Sequence, residues 1–324
     1  MPIRPGVPAP SLAPLMAPEA LRERGGVEYR VLRTRSLVNR CTSERVPFDW
    51  TVNPYRGCAM GCRYCYATYT HEFMGIDPQR SFHSLVFVKR GGEAETARAL
   101  ARAARRGELI ALGAATDPYQ PVEAAERVTR RFLEQAAQLR GLRLGITTKG
   151  ALVLRDLDLL RRIQERSLLS VHVSLISPHA ELLRRLEPLA PPPEVRIEVM
   201  RRLAEAGLAV GLSLAPILPG ISDAEADLDR LLALVAAAGV RRASANLLFL
   251  RSPTKEKFLA FLAEAFPRLR EAYRRSYDGR VYLRGGYRER TLAMVARLRR
   301  KHGLRDGWAE RSFPPAPAQL ALWR

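Results

Sequence analysis

Three of the four cysteines in the chain fall within eight residues, in Asn53-Pro54-Tyr55-Arg56-Gly57-Cys58-Ala59-Met60-Gly61-Cys62-Arg63-Tyr64-Cys65-Tyr66. The spacing is Cys-x3-Cys-x2-Cys, with an aromatic residue directly before the third cysteine. Three thiolates on a short loop can wrap one face of an iron–sulfur cubane, and Gly57 and Gly61 relieve the tight turn this requires. Three ligands leave one iron open, and an open position separates a reactive metal centre from a closed structural one. The same cysteines admit zinc, with Cys41 or His71 as fourth ligand, although structural zinc sites usually bring two separated pairs. In the zinc reading the chain is a non-catalytic nucleic-acid-binding protein. Four cysteines in 324 residues are a poor disulfide framework.

Two further segments carry polar groups at places where α/β proteins build sites. Ala114-Ala115-Thr116-Asp117-Pro118-Tyr119-Gln120-Pro121-Val122-Glu123 leaves a strand and enters a helix. Asp117-Pro118 reads as a strand terminator, and Glu123 lies in the first helical turn. Ile146-Thr147-Thr148-Lys149-Gly150 ends the next strand and puts a lysine at its carboxyl end. A cation there can hold the carboxylate of a bound amino acid or nucleoside derivative.

These residues need elements to position them, and hydrophobic period and punctuation predict a strand–helix alternation from about residue 50 to 250. Strands are expected at 85–89, 109–115, 142–147, 169–176, 209–217 and 243–249. Helices are expected at 94–105, 122–139, 154–165, 194–206 and 223–238. Asp156 and Ser222-Asp223-Ala224-Glu225 read as helix starts, and Gly207 and Gly239 as stops. The alternation argues for parallel βαβ units. Later strands place small or polar groups on one face: Ser170, His172 and Ser174, then Gly211, Ser213 and Ala215, then Ser244 and Asn246. A parallel sheet covered on both faces reads as continuous hydrophobic runs. The polar face therefore predicts an interior wide enough to hold a ligand.

The expected organisation is a flexible Pro-rich leader over 1–40, a core barrel over 41–250, a basic and mostly helical extension over 251–310, and a Pro-rich tail over 311–324. Within the extension, helices are expected at 255–276 and 288–302. No stretch of about 18 consecutive apolar residues occurs, and prolines interrupt the amino terminus, so neither a membrane span nor a signal peptide is expected. The expected location is the cytoplasm. Lysine and arginine number 53 against 33 acidic residues, a formal charge of +20. Such an excess attracts polyanions, although arginine travelling with alanine, leucine and proline also follows from genome composition.

The cysteine loop resembles the motif of the radical S-adenosylmethionine (SAM) superfamily, Cys-x3-Cys-x-aromatic-Cys after the first barrel strand. The resemblance implies a partial (β/α)6 TIM-type barrel and a [4Fe–4S] cluster on Cys58, Cys62 and Cys65 whose open iron chelates SAM. It further implies reductive cleavage to a 5′-deoxyadenosyl radical, supplied with electrons by a reductant such as flavodoxin or ferredoxin. Over about 50–250 the chain is similar to the branch containing spore photoproduct lyase, through the cysteine loop and the TDPYQPxE, TTK and APILPG segments. That similarity implies SAM contacts from Thr116, Lys149 and Ser174, with Pro216 in the segment beside the adenine. The lyase uses a cysteine beside the position of Thr116 to return a hydrogen atom, and this chain has Ala114 and Ala115 there. Spore photoproduct repair is therefore not the expected reaction, and Tyr66 is the candidate hydrogen relay. The expected substrate is DNA or RNA; a peptide or small metabolite is the alternative.

Overall fold

The computed structural model of the chain describes residues 16–24, 26–42, 46–77, 81–283 and 286–307, with side chains from residue 26 onward. Six strands open it: β1 (Met16–Arg24), β2 (Val27–Arg33), β3 (Val38–Arg40), β4 (Trp50–Val52), β5 (Tyr55–Arg56) and β6 (Leu85–Arg90). Helices and strands then alternate as α1 (Glu93–Arg106), β7 (Leu109–Leu112), α2 (Glu123–Glu126), α3 (Val128–Ala136), β8 (Arg143–Thr148), α4 (Leu157–Gln164) and β9 (Leu168–Ser174). The rest comprises α5 (Ala180–Leu186), α6 (Pro193–Glu205), β10 (Val210–Ile217), α7 (Glu225–Ala237), β11 (Arg242–Leu247), α8 (Thr254–Ala265), α9 (Pro267–Ser276), α10 (Gly286–Lys301) and β12 (Arg305–Asp306). A 3-10 helix over Tyr66–Met74 follows the cysteine loop directly.

The main sheet has the order β12-β11-β10-β9-β8-β7-β4-β3. From β4 through β7, β8, β9, β10 and β11 to β12, neighbours are parallel and follow chain order, and β3 closes one edge antiparallel. Among the described residues the two edges do not pair, so the sheet is the open, partial barrel of an α/β protein with its strand ends at a common mouth. Each crossover helix buries an apolar stripe: Ala99, Leu100 and Ala103 on α1, Leu159, Leu160 and Ile163 on α4, and Leu228, Leu231, Leu232 and Val235 on α7. A fully buried leucine of this kind stabilises by about 2–3 kcal/mol. The left-handed Gly107 ends α1, a conformation that favours glycine.

The polar strand faces come into register. Ser174 pairs with Ser213 and Ser213 with Ser244, while Thr147, His172, Gly211 and Arg242 form the row one layer deeper. Val171, Val173, Leu212 and Leu214 occupy the opposite face and are almost fully buried. The His172 ring lies where a Gly211 side chain would stand, since a Cβ there would sit 2.6 Å from its Cε1.

Several sequence expectations change. The strand at 85–89 exists as β6, but it lies outside the barrel in a four-stranded sheet of order β1-β2-β6-β5. The first barrel strand is instead β4, whose three residues are too short to show a period. Residues 27–33 and 38–40, assigned to the leader, are strands because their backbone pairs with β6 and β4. The helix at 122–139 divides at Arg127, whose φ of 52° breaks it. The helix at 255–276 divides at Phe266-Pro267, where proline removes a helical N–H donor. Asp156 does not cap; its carboxylate meets Arg130 and Arg155, each at 2.8 Å. Ser222 accepts from Leu218 N instead of capping α7. Within the extension, β12 joins the main sheet beside β11. Residues 308–324, including the 311–324 tail, and 1–15 of the leader lie outside the described residues. No helix among the described residues is long and apolar enough to cross a membrane.

Candidate active site

The cysteine loop leaves β5 and is held from several sides. Gly57 has φ +85°, and a Cβ there would stand 2.6 Å from the Leu85 carbonyl oxygen, so strain and space both require glycine. Cys58 N donates to Phe82 O, Arg63 N to Leu186 O, and Leu189 N to Met60 O. The TDPYQ segment after β7 supplies the other side. The Thr116 hydroxyl donates to Gly57 O at 2.7 Å, Gln120 Nε2 donates to Thr116 Oγ1 at 3.0 Å, and Ala59 N donates to Gln120 Oε1 at 2.9 Å. His83 Nδ1 lies 2.8 Å from Cys58 O, and burial lowers the pKa of that imidazole to about 4, leaving it neutral.

All three thiols are held by their surroundings as poor thiolates. Burial pushes the Cys58 thiol up to about 12, with Asp117 and Cys65 adding to the effect. Cys62 and Cys65 are also raised, burial first, while Lys149 acts against the shift on both. Metal binding supplies the positive charge that deprotonates such ligands. The donor set fits a [4Fe–4S] cluster: three free thiols on one loop, with lysine cations beside it. A cubane takes one thiolate per iron, so its cysteines need not converge on a point. A single zinc ion needs such convergence, and among the described residues no three Cys, His, Asp or Glu side chains provide it. Cys41 lies beyond β3, with its backbone bonded to Asp49, and His71 is buried against Phe82 and Phe87 with Nδ1 on Ser81 Oγ. The other ring nitrogen of His71, Nε2, is buried and has no hydrogen-bond partner among the described residues.

Lys149 stands beside Cys62 in a network that sequence reading did not find. Its Nζ is 3.9 Å from Glu187 Oε1, a carboxylate with no solvent exposure. Glu187 also accepts from the Tyr64 hydroxyl and pairs with the guanidinium of Arg196, itself 1% exposed. Burial alone would raise the Glu187 carboxyl; Lys149, Arg196 and Tyr64 outweigh it, and the group is held below the ordinary carboxylate range. Burial likewise opposes the charge on Lys149, but Cys62 and Glu187 prevail and raise its pKa. Glu187 and Asp117 both act on the Lys149 cation, and Lys149 is the most solvent-accessible member of the network. Asp117 fixes the lysine backbone by accepting from Lys149 N at 2.7 Å and from the Thr148 hydroxyl at 2.6 Å.

The remaining expected residues occupy different places around the mouth. Ser174 is buried at the end of β9, where its carbonyl accepts from Arg196 Nη1 at 3.0 Å. Pro216 follows Ala215 near the end of β10 and is half-buried. Tyr66 is 46% exposed, and its hydroxyl donates to the Ala114 carbonyl. Thr116, Lys149 and Tyr66 thus gather at the cysteine loop, Thr116 as a strut of the loop itself. Gln120, His83, Glu187 and Arg196 were missed. The sequence ELLRRLEPL reads as an ordinary charged helix end, and only the fold shows Glu187 to be buried.

The model for the radical SAM superfamily matches residues 52–235. An uncharacterised protein of Mycobacterium tuberculosis is 35% identical over 305 residues, covering 92% of this chain and 89% of the relative. An uncharacterised protein of Methanocaldococcus jannaschii is 29% identical over 176 residues, 54% of this chain and 63% of that protein. Among solved structures, spore photoproduct lyase complexed with dinucleoside spore photoproduct superposes with a TM-score of 0.67 at 17% identity, covering 86% of this chain and 81% of the lyase. The two proteins share a fold. With the cysteine spacing, the open parallel sheet and the family match over more than half its length, the chain belongs to the radical SAM superfamily and is a radical SAM enzyme.

Proposed function

We propose that Cys58, Cys62 and Cys65 hold a [4Fe–4S] cluster and that the mouth of the sheet above it binds SAM. When bound and reduced, the pair supplies a 5′-deoxyadenosyl radical that abstracts hydrogen from a substrate. The observation that carries this reading is the preformed cysteine loop, anchored through Thr116 and Gln120 with the Lys149 cation beside Cys62. Lys149 holds the SAM carboxylate, as the member of its network most open to solvent. Ser174 and Pro216 lie at the ends of β9 and β10 and border the cofactor. Tyr66, next in sequence to a cluster ligand, exchanges a hydrogen atom with the substrate; its hydroxyl reaches Ala114, one of the two alanines that stand where the resemblance places the lyase's donor cysteine.

A low-potential one-electron donor such as flavodoxin or ferredoxin is the expected partner. Nucleic acid is the favoured substrate class, supported by the +20 charge and by likeness to an enzyme solved with a dinucleoside lesion. A peptide or metabolite is the second reading. The oxygen sensitivity of such a cluster suits the reducing cytoplasm. Anaerobic reconstitution should yield about four irons per chain, a broad visible absorbance, and dithionite-dependent conversion of SAM to 5′-deoxyadenosine and methionine. A colourless protein retaining one zinc and leaving SAM intact would overturn the proposal.

A further inference from the structure

A row of aromatic rings leads away from the last cysteine. Tyr66 meets Phe249 edge-on at 6.4 Å, and Phe249 meets Tyr282 at 4.9 Å. On the same 3-10 helix, Tyr69 meets Phe73 at 5.7 Å with the rings perpendicular. Tyr66 is bonded to Ala114 beyond β7, and Phe249 lies just beyond β11, so the row crosses the mouth of the sheet. Large rings of this kind normally sit in the core. Here Tyr66, Phe73 and Tyr282 are 46%, 54% and 36% exposed.

On the outer helices some arginines are tied to carboxylates, Arg98 to Glu95, Arg201 to Glu198 and Glu205, and Arg274 to Glu271. Three others, one of them beside this row, lie over rings. Arg251 sits 5.4 Å from the Tyr69 centroid, Arg63 5.7 Å from Phe261, and Arg185 4.4 Å from Phe266. Among the described residues none of these three has an ion-pair partner, and Arg63 and Arg251 are exposed. Exposed rings offer stacking faces to planar bases, and arginines without carboxylates offer charge to phosphates. A duplex hides its base faces and cannot use such a row.

We infer that the row Phe73–Tyr69–Tyr66–Phe249–Tyr282, with Arg251 beside it, is a stacking track for an unpaired nucleic-acid strand, along which bases flanking the target are laid across the mouth. The inference deepens the nucleic-acid reading of the proposed function and rests on it for the location of the target.

Fluorescence anisotropy of the reconstituted holoprotein with labelled oligonucleotides tests this. A single strand is expected to bind more tightly than a duplex of equal length, with affinity falling steeply with salt. The double variant Tyr69→Ala/Phe73→Ala should weaken single-strand binding about tenfold or more, and Arg251→Ala should also flatten the salt dependence. The pair Tyr69→Phe/Phe73→Trp keeps the rings and should retain binding. Iron content and visible absorbance report whether each variant keeps its cluster, and the exposed single change Phe73→Ala serves if the double variant does not fold. Preferred binding of duplex, no binding at low salt, or an unchanged affinity after loss of both rings would overturn the inference. Reductive cleavage of SAM is scored separately, so a protein that cleaves SAM but ignores single strands loses the track while keeping the radical chemistry.

Discussion

The Thr116 hydroxyl donates to the Gly57 carbonyl at 2.7 Å, so the residue that resemblance assigns to cofactor contact is engaged in holding the loop that presents Cys58. Gln120 is the only other side-chain donor to that carbonyl among the described residues, and its contact is longer, at 3.3 Å.

Thr116→Val keeps the shape and removes the donor. Leaving a buried carbonyl with one long hydrogen bond costs about 1–2 kcal/mol. The expected outcome is faster loss of iron to a chelator, followed by the decay of visible absorbance, with iron content after reconstitution near that of the parent. Equal rates in the two proteins would remove the strut role.

Glu187→Gln should be severe because it leaves Arg196 and Lys149 without their buried counter-charge. Removing one partner of a buried pair typically costs about 3–5 kcal/mol. Thermal unfolding should show the loss. Lys149→Met keeps Glu187 paired with Arg196, so it should cost much less stability while weakening SAM binding, measured by the perturbation of the cluster's EPR spectrum on titration. If both variants lost stability equally and SAM affinity were unchanged, Lys149 would be a structural counter-ion and nothing more.

His71, His83 and His172 all have pKa values lowered to about 4, each chiefly by burial. The folded protein keeps them neutral where the unfolded chain would protonate them. Their contribution is intact above the unfolded value of about 6.5 and is lost progressively as pH falls toward 4. For His172, only 1% exposed, the depression corresponds to about 3 kcal/mol by linkage. Melting temperature of the apo protein should therefore fall between pH 6.5 and 4, and His172→Asn should flatten part of that fall despite its own packing cost. An equally steep pH dependence in the variant would show that His172 is not among the responsible groups.

What the sequence revealed of this molecule was local. Cys58, Cys62 and Cys65 lie on one loop, as their spacing implied. Ser170, His172 and Ser174 alternate with aliphatic residues, and that period already implied the polar face that β10 and β11 extend in register. What escaped was decided by distant partners. β4 is three residues long and is a strand because β3 and β7 flank it. β2 is ordered by β6, a pairing no local pattern encodes. Asp156 looked like a cap because aspartate is common there, yet Arg130 and Arg155 compete for the same carboxylate. Glu187 needed Tyr64, Lys149 and Arg196, drawn from three separate segments, before its burial made sense.

The contact between His172 and Gly211 makes the two positions one choice. With the imidazole lying where a side chain at 211 would stand, any larger residue there would have to displace the ring, since a Cβ would come within 2.6 Å of its Cε1. The glycine is thus the cast left by its neighbour, and the small face of β10 records the size of the histidine on β9.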